Sequence, residues 1–170
     1  MNRLYTYVGP PEIAAGVADI PPGIALRSPA DVLVWVKQCQ NEFDRSRRMI
    51  ATFVVDESGS LRVAERRSEH VACAGGGPVL AAGEITFRVV GGSVEAEEVT
   101  NQSTGYCPEP ESWNAVAEAL ARASIAGPTG YTTEFIFRLC EQCRQINLVK
   151  EQIFECAACG SDLPMVWNFG

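Results

Sequence analysis

Apolar residues recur along this chain at two different periods, and the switches between them divide it into elements. Residues 49–56 are dense in Ile, Thr, Phe and Val and predict a strand. The turn Glu57-Ser58-Gly59-Ser60 leads into a second strand at 61–67, making a hairpin. Strands at 84–90 and 94–100 form another hairpin around Gly91-Gly92. Between 28 and 43 the period changes: Val32, Trp35, Val36, Cys39 and Phe43 fall on one helical face. Ser28 is placed to cap that helix, with Pro29 at the first helical position and Asp31 supplying an early carboxylate. A second amphipathic helix follows Pro108-Glu109-Pro110, with Trp113, Val116, Ala117, Leu120 and Ala121 on one side. Gly127-Pro128-Thr129-Gly130 breaks the chain, and 132–139 alternates around Phe135 and Phe137 as a strand. Residues 1–27 are rich in proline and glycine around Tyr5, Tyr7, Val8 and Ile13, and predict a short strand followed by irregular structure. The order βαββ, ββ, α, β defines an α+β protein with a mainly antiparallel sheet and two amphipathic helices.

The last strand runs directly into Cys140. Cys140-x-x-Cys143 and Cys156-x-x-Cys159 are two Cys-x-x-Cys pairs separated by residues 144–155. Two residues between cysteines let both sulfurs of a tight turn face one ion, and two such turns complete the tetrahedral thiolate shell that Zn²⁺ prefers. Ile146, Leu148, Val149, Ile153 and Phe154 supply the apolar residues of a hairpin between the pairs. Gly160 after Cys159 suits a sharp knuckle because glycine accepts φ > 0, whereas Arg144 occupies the equivalent place in the first turn. The segment resembles a zinc ribbon with rubredoxin-like knuckles, which implies a bound metal; iron uses the same four ligands. Continuity of the 132–139 strand with the first knuckle predicts that this unit packs on the main sheet. The expected division is a body at 1–131, carrying a glycine-rich His/Tyr motif, and a cysteine unit at 132–170. The tail 163–169 is apolar enough to dock on the core or on a partner.

Length and composition narrow the function. At 170 residues, 46% hydrophobic and 21% charged, the chain has the make-up of an ordinary globule of one domain, or of one with a small appendage. No apolar run is long enough to span a bilayer, and residues 1–8 lack a signal-peptide pattern, so no membrane association is expected. A net charge of -7, made more negative by a zinc–thiolate centre, opposes nucleic-acid binding through a basic surface. Seven cysteines, an odd number with four in metal spacing, favour a reducing compartment and a cytoplasmic location.

The remaining chemistry clusters in the middle of the chain. His70, the only histidine, opens His70-Val71-Ala72-Cys73-Ala74-Gly75-Gly76-Gly77-Pro78, which continues through Ala81-Ala82-Gly83. Ser103-Thr104-Gly105-Tyr106-Cys107-Pro108 follows the second hairpin. Gly75, Gly76 and Gly77 expose backbone N–H groups that could meet a ligand, and Ser103 could add a hydroxyl. Residues 66–125 resemble the central domain of the plant IQ-motif-containing calmodulin-binding family. His70, Gly76, Gly77, Ala81, Ala82, Gly83, Ser103, Tyr106 and Pro108 carry the match. The resemblance implies a shared fold element. It does not carry calmodulin binding, because the Ile-Gln-type helix is missing, nor two-histidine chemistry, because Gly105 stands where that family has a second histidine.

Two classes of function fit these residues. One is a cytosolic zinc-binding module that recognises a protein or small-molecule ligand. The other is an enzyme with a pocket of His70, Tyr106 and Cys107. Such an enzyme could be a Cys–His transferase or hydrolase. It could equally be ADP-ribosyltransferase-like, with Glu134 as a later carboxylate. In the enzyme reading Cys107 is the better exposed thiol, and His70 and Tyr106 share one end of the sheet.

Overall fold

The computed structural model describes residues 2–170. Its first half runs α1 (Pro11–Gly16), β1 (Ile24–Leu26), α2 (Pro29–Gln38), β2 (Arg48–Asp56), β3 (Leu61–Glu65) and α3 (His70–Cys73). The second half adds β4 (Val79–Val90), β5 (Ser93–Val99), α4 (Trp113–Arg122), β6 (Ile136–Leu139) and β7 (Ile146–Val149). The first five strands form one antiparallel sheet in the order β1-β3-β2-β4-β5, and β6 and β7 form a separate antiparallel pair. The architecture is α+β, as the pattern of periods predicts.

Alternation along β2 divides the core between the two faces of the sheet. Phe53 and Val55 lie with Ile85, Phe87, Val99, Val116 and Leu120 under α2 and α4. Trp35 of α2 meets Phe87 edge-on, with ring centroids 4.8 Å apart. Val54 points the other way, into a cluster with Tyr5, Val71, Val79, Ala82 and Tyr106. This second face is covered by α3 and the N-terminal segment, not by a long helix.

Four elements differ from the sequence pattern, each for a local reason. Helix α2 ends at Gln38 and relaxes through a 3₁₀ turn at Gln40–Glu42, so Phe43 reaches the core from extended backbone. The N-terminal segment, expected to be irregular, contains α1, begun by Pro11, and the edge strand β1. Residues 79–83, expected in the glycine-rich loop, are the first half of β4. The 132–139 run is divided: residues near 126 and 133 lie parallel to β5 through isolated bridges, and only Ile136–Leu139 form β6. Thr132 is held at the end of β5, donating its N–H and hydroxyl to Val99 O and accepting the Val99 N–H on its hydroxyl oxygen.

Gly83 allows the sheet to close. A Cβ at this position would lie 1.8 Å from the carbonyl oxygen of Thr100. Because that obstacle is backbone, only movement of a strand could relieve it. Gly83→Ala is therefore expected to lower unfolding free energy by about 3 kcal/mol or more, measured as a fall in the urea midpoint. Gly16→Ala, at a position with open space around it, should change stability by less than about 0.5 kcal/mol.

Candidate metal centre

Both Cys-x-x-Cys turns adopt the same backbone. Arg144 N–H donates to Cys140 O at 2.9 Å, and Gly160 N–H donates to Cys156 O at 2.9 Å. Each turn then closes with a second bond, from Cys140 N–H to Gln145 O and from Cys156 N–H to Ser161 O. Arg144 has φ 64° and Gly160 φ 73°, so both occupy the left-handed region. The arginine thus adopts the conformation that glycine takes freely, at a cost of about 1–2 kcal/mol.

The four cysteine Sγ atoms lie within 4.8 Å of one another. Cys140 and Cys159 are 3.6 Å apart, and Cys143 and Cys156 are 3.5 Å apart. A tetrahedral zinc with Zn–S bonds of about 2.3 Å requires sulfur separations of about 3.8 Å, so the donor set and its spacing fit one thiophilic metal ion.

Neighbouring groups favour the thiolate form. Burial raises the Cys156 thiol, but N–H groups of Cys159 and Ala158 and the Asn147 amide outweigh it and pull the thiol down to about 6. At Cys159, the Ser161 hydroxyl and N–H lower the thiol. At Cys143 the Gln145 N–H pulls the thiol down, but desolvation and the sulfurs of Cys156, Cys140 and Cys159 push it up to about 12. Binding of a divalent ion would require all four thiols as thiolates.

Asn147 is the residue that cysteine spacing alone does not reveal. It is buried on β7, donates from Nδ2 to Cys156 Sγ at 3.4 Å and to Gln145 O at 2.9 Å, and accepts Ala157 N–H at 3.0 Å on Oδ1. One side chain therefore supports a ligand and the second knuckle together. The available clue was a polar residue within the apolar run Ile146-Asn147-Leu148-Val149.

The residues of the central motif serve the backbone around them. Gly75 and Gly76, at φ 66° and 80°, donate their N–H groups to Ala72 O and Val71 O, which caps the one-turn helix α3. Those two donors are used before any ligand arrives. Tyr106 donates its hydroxyl to Gly77 O at 2.7 Å, and Ser103 Oγ accepts the Tyr106 N–H. His70 Nε2 lies 3.0 Å from Gly83 O. Because a carbonyl only accepts, Nε2 carries the proton. The expectation that Cys107 is exposed is corrected: it is fully buried against Phe137 and Phe169, and burial pushes its thiol up to about 12. Gly75 and Gly77 border a hollow of about 340 Å³ with Pro22, Asp56, Arg62 and Pro78, and His70, Tyr106 and Cys107 are not among its walls. Glu134 is at the surface.

The fold and the site define an α+β protein with a four-cysteine cluster able to hold a metal ion. No family model, curated protein or solved structure matches the chain, so the likeness of residues 66–125 to the IQ-motif family has no counterpart there. Among the described residues no helix is long and apolar enough to cross a membrane.

Two measurements follow from this geometry. Asn147→Ala should weaken metal affinity by about 10–100-fold in competition with a chelating dye. Burial depresses the His70 pKa, against the opposing pull of Gly83 O, Glu84 and Glu69. Its unfolded form therefore binds protons more readily, and its contribution to stability is complete above about pH 6.5 and declines below it. In denaturation at pH 7.5 and pH 5.5, His70→Gln should lose less stability on acidification than the parent. Thiolate protonation is common to both proteins and cancels in the difference.

Proposed function

We propose that this chain is a cytoplasmic zinc-binding module that recognises a protein or small-molecule partner, with residues 132–170 acting as a zinc ribbon mounted on the 1–131 body. The observation that carries the reading is the convergence of four sulfurs from two turns of matching conformation. Zinc is favoured because four thiolates with hydrogen-bonded support suit a closed structural site without redox chemistry.

The size of the cysteine unit supports a structural role for the ion. Beyond Phe137 and Phe169, which pack with Cys107 of the body, its own buried cluster holds four residues, Cys140, Val149, Cys156 and Leu163, with Ile136 and Phe154 alongside. Two of those four buried residues are ligands. Two small clusters, one of them shared with the body, leave part of the entropy of ordering the segment for the metal to offset.

The recognition role rests on the surface beside it. Leu148, Ile153, Met165 and Val166 are exposed on the hairpin and tail. A cleft of about 670 Å³ runs between Arg3 and Tyr5, the start of α4, Phe154 and Trp167. Met165 and Val166 also line this cleft, and exposed apolar side chains beside a cleft suit contact with a partner.

The test is metal content and amide exchange of the full chain. Natively purified protein should carry one zinc ion per chain, and a strong chelator should remove protection from amides in 136–169 while β2 and β4 stay protected. Protein without metal whose hairpin amides resist the chelator would falsify the proposal.

A further inference from the structure

The cysteine cluster is divided between a buried and an exposed side. Cys140 and Cys156 are buried, whereas Cys143 and Cys159 are exposed. The two close sulfur contacts each pair an exposed thiol with a buried one: Cys159 with Cys140 at 3.6 Å, and Cys143 with Cys156 at 3.5 Å. Both contacts cross from one knuckle to the other. An oxidant arriving from solvent thus meets a sulfur that has a resolving sulfur in contact behind it. The other cysteines lie in the body, buried, with Cys39, Cys73 and Cys107 donating their thiols to Trp35 O, Arg62 O and Thr104 O.

From this arrangement the geometry points to a reversible modification site: Cys159 and Cys143 react with hydroperoxides, and the disulfides Cys140–Cys159 and Cys143–Cys156 take the place of the metal. This rests on the zinc reading above. With hydrogen peroxide, the exposed thiolate attacks one oxygen, the O–O bond breaks and hydroxide leaves, giving a sulfenic acid. The buried thiolate attacks that sulfur, an S–S bond forms and a second hydroxide leaves. The sulfur pair loses two electrons, the peroxide gains them, and two protons from solvent convert both hydroxides to water. A second peroxide oxidises the second pair, and the ion departs without ligands.

Each new bond joins the same two turns that the metal joined. Oxidation therefore exchanges one clamp for another, and the hairpin keeps its place on the body. Reduction by a dithiol restores four thiols and the metal site.

The experiment treats the zinc-loaded full chain with hydrogen peroxide. Released ion is followed with a chromophoric chelator, and disulfides are mapped by mass spectrometry. Complete loss of zinc for about two peroxides per chain, the two cross-knuckle disulfides, unmodified body cysteines, and reloading after dithiothreitol and zinc are expected. Amides in 136–169 should remain protected in the oxidised chain. Zinc retained under peroxide that oxidises free glutathione would overturn the proposal. So would disulfides within a knuckle, sulfinic acid without disulfide, or loss of hairpin protection. A chain that carries no zinc before peroxide is added removes the metal reading itself, and this proposal with it.

Discussion

A buried guanidinium fixes how the β6–β7 hairpin sits beside the body. Arg138, on β6, is only 4% exposed, and all five of its N–H donors are engaged. Two reach the Glu109 carboxylate, at 2.7 and 3.2 Å, and the others reach the carbonyls of Phe137, Pro164 and Met165. The partners come from the body, the hairpin and the tail, so one side chain ties three segments that are far apart in sequence. Its net value to stability is small, because taking both charges out of water costs about as much as their attraction returns. Loss of one partner is another matter, at roughly 3–5 kcal/mol, since the other charge stays buried. The pair therefore specifies an orientation more than it adds stability.

The tail completes that orientation. Asn168 accepts Leu139 N–H and donates to Leu139 O, occupying the outer edge of β6 immediately before Cys140. Trp167 donates from Nε1 to Cys107 O at 2.8 Å and packs edge-on against Tyr5, while Arg3 lies over its ring at 4.9 Å. Cys107 is consequently a floor on which the tail is seated. Its backbone, at φ 45°, turns its carbonyl toward the indole, and its side chain packs with Phe137, Phe169 and Trp167. The cysteine cluster and the central motif are thus parts of one structure joined through residues 163–169.

Much of this was legible in the sequence where a single local rule governs. The β2–β3 hairpin, the Ser28 cap with its bond from Asp31 N–H, and the cysteine cluster follow from pattern, cap chemistry and spacing. What escaped depends on neighbours distant along the chain. The run at 79–83 resembles a loop because alanine and glycine are poor strand formers, yet β2 on one side and Thr100 on the other require small residues there. The glycines at 75 and 76 suggested a ligand cradle, but a four-residue helix with no other means of ending uses their N–H groups. Asn147 and Arg138 were invisible as partners because their acceptors lie on other elements.

Backbone strain is concentrated in the cysteine unit. Of the six non-glycine residues with positive φ among those described, Arg144, Glu151 and Gln152 lie between the two cysteine pairs. Glu151 and Gln152 form the hairpin turn closed by Ile153 N–H to Lys150 O, a place where Asn-Gly would fit without strain. At about 1–2 kcal/mol per residue the three cost roughly 3–6 kcal/mol, a large share of what burial of a few apolar side chains returns at roughly 1.5–3 kcal/mol each. A structural zinc ion, if held by the four cysteines, would contribute about 10–16 kcal/mol at neutral pH, enough to hold all three turns with a margin. Such a margin would permit residues other than Asn and Gly in the turn, and Gln152 is one of them. It stands on the wall of the cleft shared with Arg3, Tyr5 and Trp167, so the strained turn and the shape of that surface are linked through one residue.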